Sequence, residues 1–130
     1  MKNILQTGIL LIVVLLVACN KEPAITPSAN FTTSLNNNTV ASGQPFTLYL
    51  KDVTGEWAVY FKGDNEKTTF HPEFYRAEGV NIDLGLDSIV VGGYNIAGSY
   101  PFTVVASSSG NWAEEYLQDI KTITLTVTAN

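Results

Sequence analysis

Cysteine, histidine and basic residues are scarce in this 130-residue chain. The only cysteine, Cys19, has no partner for a disulfide within the chain, so stability must come from packing. The only histidine, His71, precedes Pro72 without a nearby Gly-x-Ser-x-Gly motif, which disfavours a Ser-His-Asp catalytic site. Seven Lys and Arg against twelve Asp and Glu give a net charge of −5, which disfavours nucleic acid as a partner. We therefore expect neither an enzyme nor a nucleic-acid-binding protein.

The chain starts with a short apolar segment that is not long enough to span a bilayer, since a spanning helix needs about 20 apolar residues. The run from Ile9 to Ala18 follows the basic Lys2, an order typical of a secretory signal peptide. Its last residues, Leu-Val-Ala followed by Cys19, resemble the bacterial lipobox. That resemblance implies that residues 1–18 are removed and that Cys19 carries a lipid. The alternative is an ordinary signal peptide with a chance cysteine near its end.

The residues after Cys19 predict the location and the domain boundaries. By resemblance to Gram-negative sorting rules, Asn20 in place of aspartate favours the outer membrane. Lys21-Glu22 resembles a short form of the charged export tag on surface lipoproteins of Bacteroidota-type bacteria, so display on the surface is expected, with the periplasmic face as the alternative. Residues 19–28 are predicted to be a lipidated, flexible tether. Residues 29–130 are long enough for one core and form the predicted single domain.

Apolar residues of this domain recur at every second position, which predicts β-strands. The alternation is clear in 46–50, 102–106 and 123–127, the last with threonines between the apolar residues. In 57–61 we place Trp57, Val59 and Phe61 on the core face. Further strands are expected at 30–35, 80–82 and 88–91. The sequence therefore predicts an all-β protein, an antiparallel sandwich of about seven strands.

Several segments resemble the polycystic-kidney-disease (PKD) type of immunoglobulin-like domain. After Phe31, the segment 43–48 (Gly-Gln-Pro-Phe-Thr-Leu) is similar to the Gly-x-x-Val-x-Phe of that family. Segment 57–65 resembles its aromatic strand ending in Phe-Gly-Asp-Gly, 98–104 its Gly-x-Tyr-x-Val-x-Leu, and 121–127 its closing strand. The resemblance covers nearly the whole domain and implies a non-enzymatic module for adhesion, spacing, or contact with glycans or proteins.

This chain departs from the PKD pattern in its middle. Lys62 interrupts the Phe-Gly pair, and Asn65 replaces the second glycine. The passage 66–97 is also longer than the corresponding passage in the family. The resemblance to the PKD pattern is therefore weakest between residues 62 and 97.

Carboxylates in the loops suggest two further functions that we consider and set aside. Glycoside hydrolysis needs two carboxylates at a fixed separation across a cleft, whereas the acidic residues here are those expected of solvated loops. Calcium takes oxygen ligands such as those in 64–66 and 81–87, but neither segment has EF-hand spacing. Asp64 is expected to cap its own turn instead. No metal or other cofactor is predicted.

Aromatic residues in two loops are the candidate binding residues. Trp112 and Tyr116 are four apart and would share a face in a helical turn, where aromatic rings stack on sugars or contact a protein. The alternative is that both plug the end of the sandwich. Phe74 and Tyr75 pose the same choice. The sequence thus predicts an outer-membrane lipoprotein that binds a glycan, or an envelope or host protein, and in which Trp57 is too buried to report on ligand.

Overall fold

The computed structural model describes residues 25–72, 78–109 and 116–130, and these residues form an all-β structure. The prediction of an all-β fold is therefore confirmed. Two short 3-10 turns, Asn36–Asn38 and Glu66–Thr68, accompany the strands. The strands are β1 (Ser28–Ala29), β2 (Thr32–Thr33), β3 (Thr39–Ala41), β4 (Phe46–Tyr49), β5 (Val53–Thr54), β6 (Trp57–Phe61), β7 (Val80–Ile82), β8 (Ser88–Val91), β9 (Gly98–Ser108) and β10 (Leu117–Thr128).

The strands are arranged in three sheets. The largest has the order β3-β10-β9-β6-β7, in which β3 runs parallel to β10 and every other pair is antiparallel. A second sheet has the antiparallel order β2-β4-β8, and β1 pairs with β5 in a short ribbon. The predicted strands 80–82 and 88–91 coincide with β7 and β8.

The core lies between the five-stranded and three-stranded sheets, as expected for a sandwich. Phe102 of β9 is fully buried at its centre, and its ring contacts three others. Centroid distances of 5.6–5.7 Å join it to Phe31, Phe46 and Tyr60. Such aromatic pairs contribute roughly 0.5–1.5 kcal/mol each beyond the area that they bury. The contacts join β9 to the opposite sheet through Phe46 of β4.

The alternation predicted for β4 and for the end of β10 is confirmed. Phe46 and Leu48 of β4 are buried, whereas Tyr49 is exposed. In β10, Leu125 and Val127 are buried and the threonines between and after them face solvent. Each strand therefore has one core face and one outer face, which is the arrangement of a half-solvated antiparallel sheet.

The predicted phase of β6 is wrong. Ala58 and Tyr60 face the core, with Tyr60 stacked on Phe102, while Trp57 and Val59 lie on the outer face of the sheet. Both alternating sets of this strand are apolar, so a period of two does not reveal which set faces inward. The outer set is partly covered, because Phe61 packs against Phe70 at 5.2 Å. The correction turns Trp57 from a core residue into a surface residue.

Candidate functional site

Two aromatic side chains lie in contact on the outer face of the five-stranded sheet. The ring centroids of Trp57 and Tyr116 are 5.5 Å apart with an interplanar angle of 39°. Their exposed fractions are 40% and 53%. Trp57 begins β6, and Tyr116 immediately precedes β10, so two distant parts of the sequence build the pair. An exposed aromatic pair of this kind offers a platform for stacking or for apolar contact.

Apolar residues of three neighbouring strands extend this platform. Val59 of β6 is paired with Val105 of β9, and Val105 is paired in turn with Ile120 of β10. Val105 is buried, while Ile120 is 42% exposed. We call Trp57, Val59, Tyr116 and Ile120, which are at least partly exposed, the aromatic surface.

The segment before Trp57 is fixed to β9 by hydrogen bonds and by a glycine. The backbone N–H of Glu56 donates to the carbonyl of Ser107 at 2.9 Å. The Oε2 atom of Glu56 accepts from the backbone N–H and the Oγ of Ser109 at 3.1 and 2.7 Å. Gly55 has a φ of +147°, and a Cβ there would lie 2.9 Å from the carbonyl oxygen of Ser107. These contacts hold Trp57 at the end of the sheet where β6 begins and β9 ends.

Of the residues predicted to bind a ligand, Tyr116 is described and is exposed as the binding hypothesis requires. Trp112, Phe74 and Tyr75 lie outside the described residues, as does the predicted lipidation residue Cys19. The structure therefore brings Tyr116 together with Trp57, for which the sequence predicts a place in the core. The sequence does contain a signal for this surface residue. In the strand 57–61 both alternating sets of side chains are apolar, so whichever set faces the core, the other gives the strand an apolar outer face.

The acidic loop segments considered for calcium are occupied by local turn interactions. The side chain of Asn65 accepts from the backbone N–H groups of Lys67 and Thr68, so Asn65 caps the turn in place of the predicted Asp64. Asp64 instead accepts from the hydroxyl of Thr68. Asp83 accepts from the N–H of Gly85 at 2.9 Å. Within the described ranges, no three His, Cys, Asp or Glu side chains come together as metal ligands.

In the part that the structure describes, no helix has the length and apolar character needed to cross a bilayer. No protein-family model, curated protein or solved structure matches the chain.

Proposed function

We propose that this chain is an outer-membrane lipoprotein whose single β domain is a non-enzymatic binding module of the immunoglobulin-like, PKD-related class. The observation that carries the proposal is the contact between the partly exposed rings of Trp57 and Tyr116 on the outer face of the five-stranded sheet. Large aromatic side chains at a surface favour interaction with a partner.

The strand order supports the immunoglobulin-like assignment. In such domains one sheet contains the strands named C, F and G, often extended by a further strand, and the other contains A, B and E. The order β7-β6-β9-β10 and the opposing β2-β4-β8 fit this scheme, with β9 in the place of strand F. Near the start of β9 the hydroxyl of Tyr100 donates to the carbonyl of Ile96 at 2.7 Å. This bond has the form of a tyrosine corner, which is found at the same place in immunoglobulin-like domains.

The lipobox-like Leu-Val-Ala before Cys19 supports the anchor, and Asn20 supports retention in the outer membrane. Each buried methylene of an acyl chain contributes about 0.8 kcal/mol, so two or three chains suffice for stable attachment. The Lys21-Glu22 pair favours the outward face over the periplasmic face.

Two classes of partner suit the aromatic surface. An oligosaccharide would stack the apolar faces of its rings on Trp57 and Tyr116, and a protein of the envelope or of a host would cover the same rings with apolar side chains. Ile120 on the same face favours apolar contact in either case.

The anchor and its orientation are tested together in intact cells. Growth with an alkyne-labelled fatty acid should label the wild type and not Cys19→Ala. Protease added to intact cells should remove the wild-type domain if it is displayed outward and should spare it if it faces the periplasm. A wild-type chain that takes up no fatty acid, or a Cys19→Ala chain that still takes it up, would overturn the lipoprotein assignment.

The binding surface is tested with Trp57→Ala and Tyr116→Ala, each compared with Ile96→Ala, an exposed apolar residue between β8 and β9. Cells that carry the two surface variants should lose binding in screens against oligosaccharides and envelope proteins, while the control variant retains it. Equal binding by all three variants would place the function elsewhere.

A further inference from the structure

The described chain begins at the same end of the domain that carries the aromatic pair. The carbonyl of Thr26 accepts from the hydroxyl of Thr54 at 2.9 Å, and Ser28 of β1 is paired with Thr54 of β5. Thr54 precedes Trp57 by three residues, and Trp57 is paired with Ser107 near the end of β9. The point where the tether joins the domain is therefore next to the aromatic surface. We call this the tether end.

Exposed apolar side chains are concentrated at the tether end. Ten large hydrophobic residues of the described ranges are exposed, and six of them lie in or beside the loops and strand ends found there. Tyr49 is paired with Ser88 at the start of β8, and Leu117 is paired with Ser108 at the end of β9. We call the six the apolar rim: Ile25, Tyr49, Trp57, Leu86, Tyr116 and Leu117.

The apolar rim is spread around the domain rather than gathered into one cleft. Trp57 lies on the outer face of the five-stranded sheet, whereas Tyr49 lies on the outer face of the three-stranded sheet. The core separates these two faces, so one oligosaccharide chain cannot stack on both. A flat surface that meets the whole end of the domain can contact every member of the rim.

The length of chain before the described residues limits where the tether end can be. Ile25 lies six positions after Cys19, with five residues between them, and even fully extended this stretch spans about 20 Å. The domain itself is longer, since the twelve residues of β10 extend over roughly 40 Å. A lipid on Cys19 would therefore keep the tether end closer to the bilayer than the opposite end, which carries Ile96.

We propose that the apolar rim rests in the headgroup layer of the bilayer that holds Cys19, as a second contact beside the lipid. The inference rests on the lipid anchor proposed above and goes beyond the proposed function, because it adds the bilayer as a contact of the whole apolar rim. Trp and Tyr are the side chains enriched at membrane interfaces, because one end of each ring system is apolar and the other is polar.

Charge at this end indicates the kind of headgroup. Among the described residues at the tether end, carboxylates outnumber the cations Lys51 and Lys121. The carboxylates are Asp52, Glu56, Asp83, Asp87 and Asp119. Anionic lipids would be repelled by this surface. Contact through the rim thus suits zwitterionic headgroups and should weaken when anionic lipid is added.

The experiment uses the acylated full-length lipoprotein, reconstituted in phosphatidylcholine vesicles in which part of the lipid carries bromine atoms that quench indole emission. Trp112→Phe leaves Trp57 as the single tryptophan. In the background Trp57→Phe plus Trp112→Phe, Leu86→Trp places the indole on the other side of the rim. Ile96→Trp in the same background places it at the opposite end and is the matched control. Flotation of the vesicles reports separately whether each chain is anchored.

We expect brominated lipid to quench Trp57 and the indole at position 86, and to leave the indole at position 96 unquenched. Replacing part of the phosphatidylcholine with phosphatidylglycerol should reduce the quenching of Trp57. A chain that floats with vesicles while Trp57 is unquenched would overturn the bilayer contact and leave the anchor intact. A chain that does not float would overturn the anchor. Quenching of Trp57 alone, or a change in Trp57 emission only on adding oligosaccharide, would also overturn contact by the whole rim.

Discussion

The side chains of Lys62 and Tyr94 hold two distant segments together at the end of β6. The Tyr94 hydroxyl donates to the backbone carbonyl of Lys62 at 2.8 Å, and the Nζ of Lys62 lies 4.6 Å from the centroid of the Tyr94 ring. The same Nζ donates to the carbonyl of Gly93 at 2.8 Å and pairs with Asp64 at 3.4 Å. Lys62, which separates Phe61 from Gly63 in the sequence, thus connects β6 to the loop before β9.

Tyr94→Phe should destabilise the domain. The substitution removes the hydroxyl that satisfies the Lys62 carbonyl, and Tyr94 is almost completely buried. We expect a loss of roughly 1–2 kcal/mol in the free energy of unfolding, measured by urea titration of residues 20–130. Tyr49→Phe, which changes an exposed tyrosine on the outer face of the three-stranded sheet, should change the free energy by much less. An equal loss in both variants would contradict the proposed role of the Tyr94 hydroxyl.

Stability should fall at alkaline pH. Burial, and then the nearby charge of Asp64, raises the pKa of Tyr94 well above its ordinary value of 10.0, and burial also raises the pKa of Tyr60. The folded state thus keeps protons that the unfolded chain loses above about pH 10, so the contribution is complete below that pH and is lost as pH rises beyond it. For Tyr94 the decline approaches about 1.4 kcal/mol per pH unit once the unfolded chain has lost its proton. Urea titrations from about pH 8 to about pH 11 check this. Tyr94→Phe should have the shallower decline.

Gly63→Ala should be among the most destabilising substitutions of a surface turn. Gly63 has a φ of +71°, and a Cβ there would lie 2.2 Å from the carbonyl oxygen of Pro101. Backbone strain and overpacking together should reduce the free energy of unfolding by roughly 2–5 kcal/mol. Gly92→Ala is the matched control, because a Cβ at Gly92 meets nothing within 4 Å. Thermal unfolding would contradict the argument if the two variants had the same midpoint.

Sequence periodicity predicts the strands of this domain more completely than its surface. Leu48 and Leu125 sit in runs where apolar and polar residues alternate, so their inward orientation follows from the sequence. Trp57 sits in a run that is apolar on both faces, and its orientation depends on pairing with Ser107, a residue 50 positions later. Local sequence patterns also cannot predict hydrogen bonds between a side chain and a backbone group that is distant in the sequence. The contact between Trp57 and Tyr116 therefore required the fold.

Asp119→Ala should destabilise the edge of the core beside β1. The Oδ2 of Asp119 accepts from the backbone N–H of Ala29 at 2.7 Å, and Ala29 is fully buried. Leaving that buried N–H without an acceptor should lower the free energy of unfolding by about 1–3 kcal/mol. Asp119→Asn keeps an oxygen at the same position and should restore part of the loss. If Asn and Ala at this position give the same urea midpoint, the hydrogen bond is not the cause.

Tyr116→Ala should increase the solvent exposure of Trp57. In a Trp112→Phe background the emission comes from Trp57, whose indole is partly shielded by the Tyr116 ring 5.5 Å away. Removing that ring should shift the emission to the red and increase quenching by acrylamide. The free energy of unfolding should fall by roughly 0.5–1.5 kcal/mol, the range for an aromatic pair. Ile96→Ala, far from the pair, should change neither quantity. A surface indole should respond to the loss of the neighbouring ring. If the emission of Trp57 is blue-shifted and inaccessible to acrylamide even before Tyr116 is replaced, Trp57 lies in the core, as sequence periodicity predicts, and the surface position is wrong.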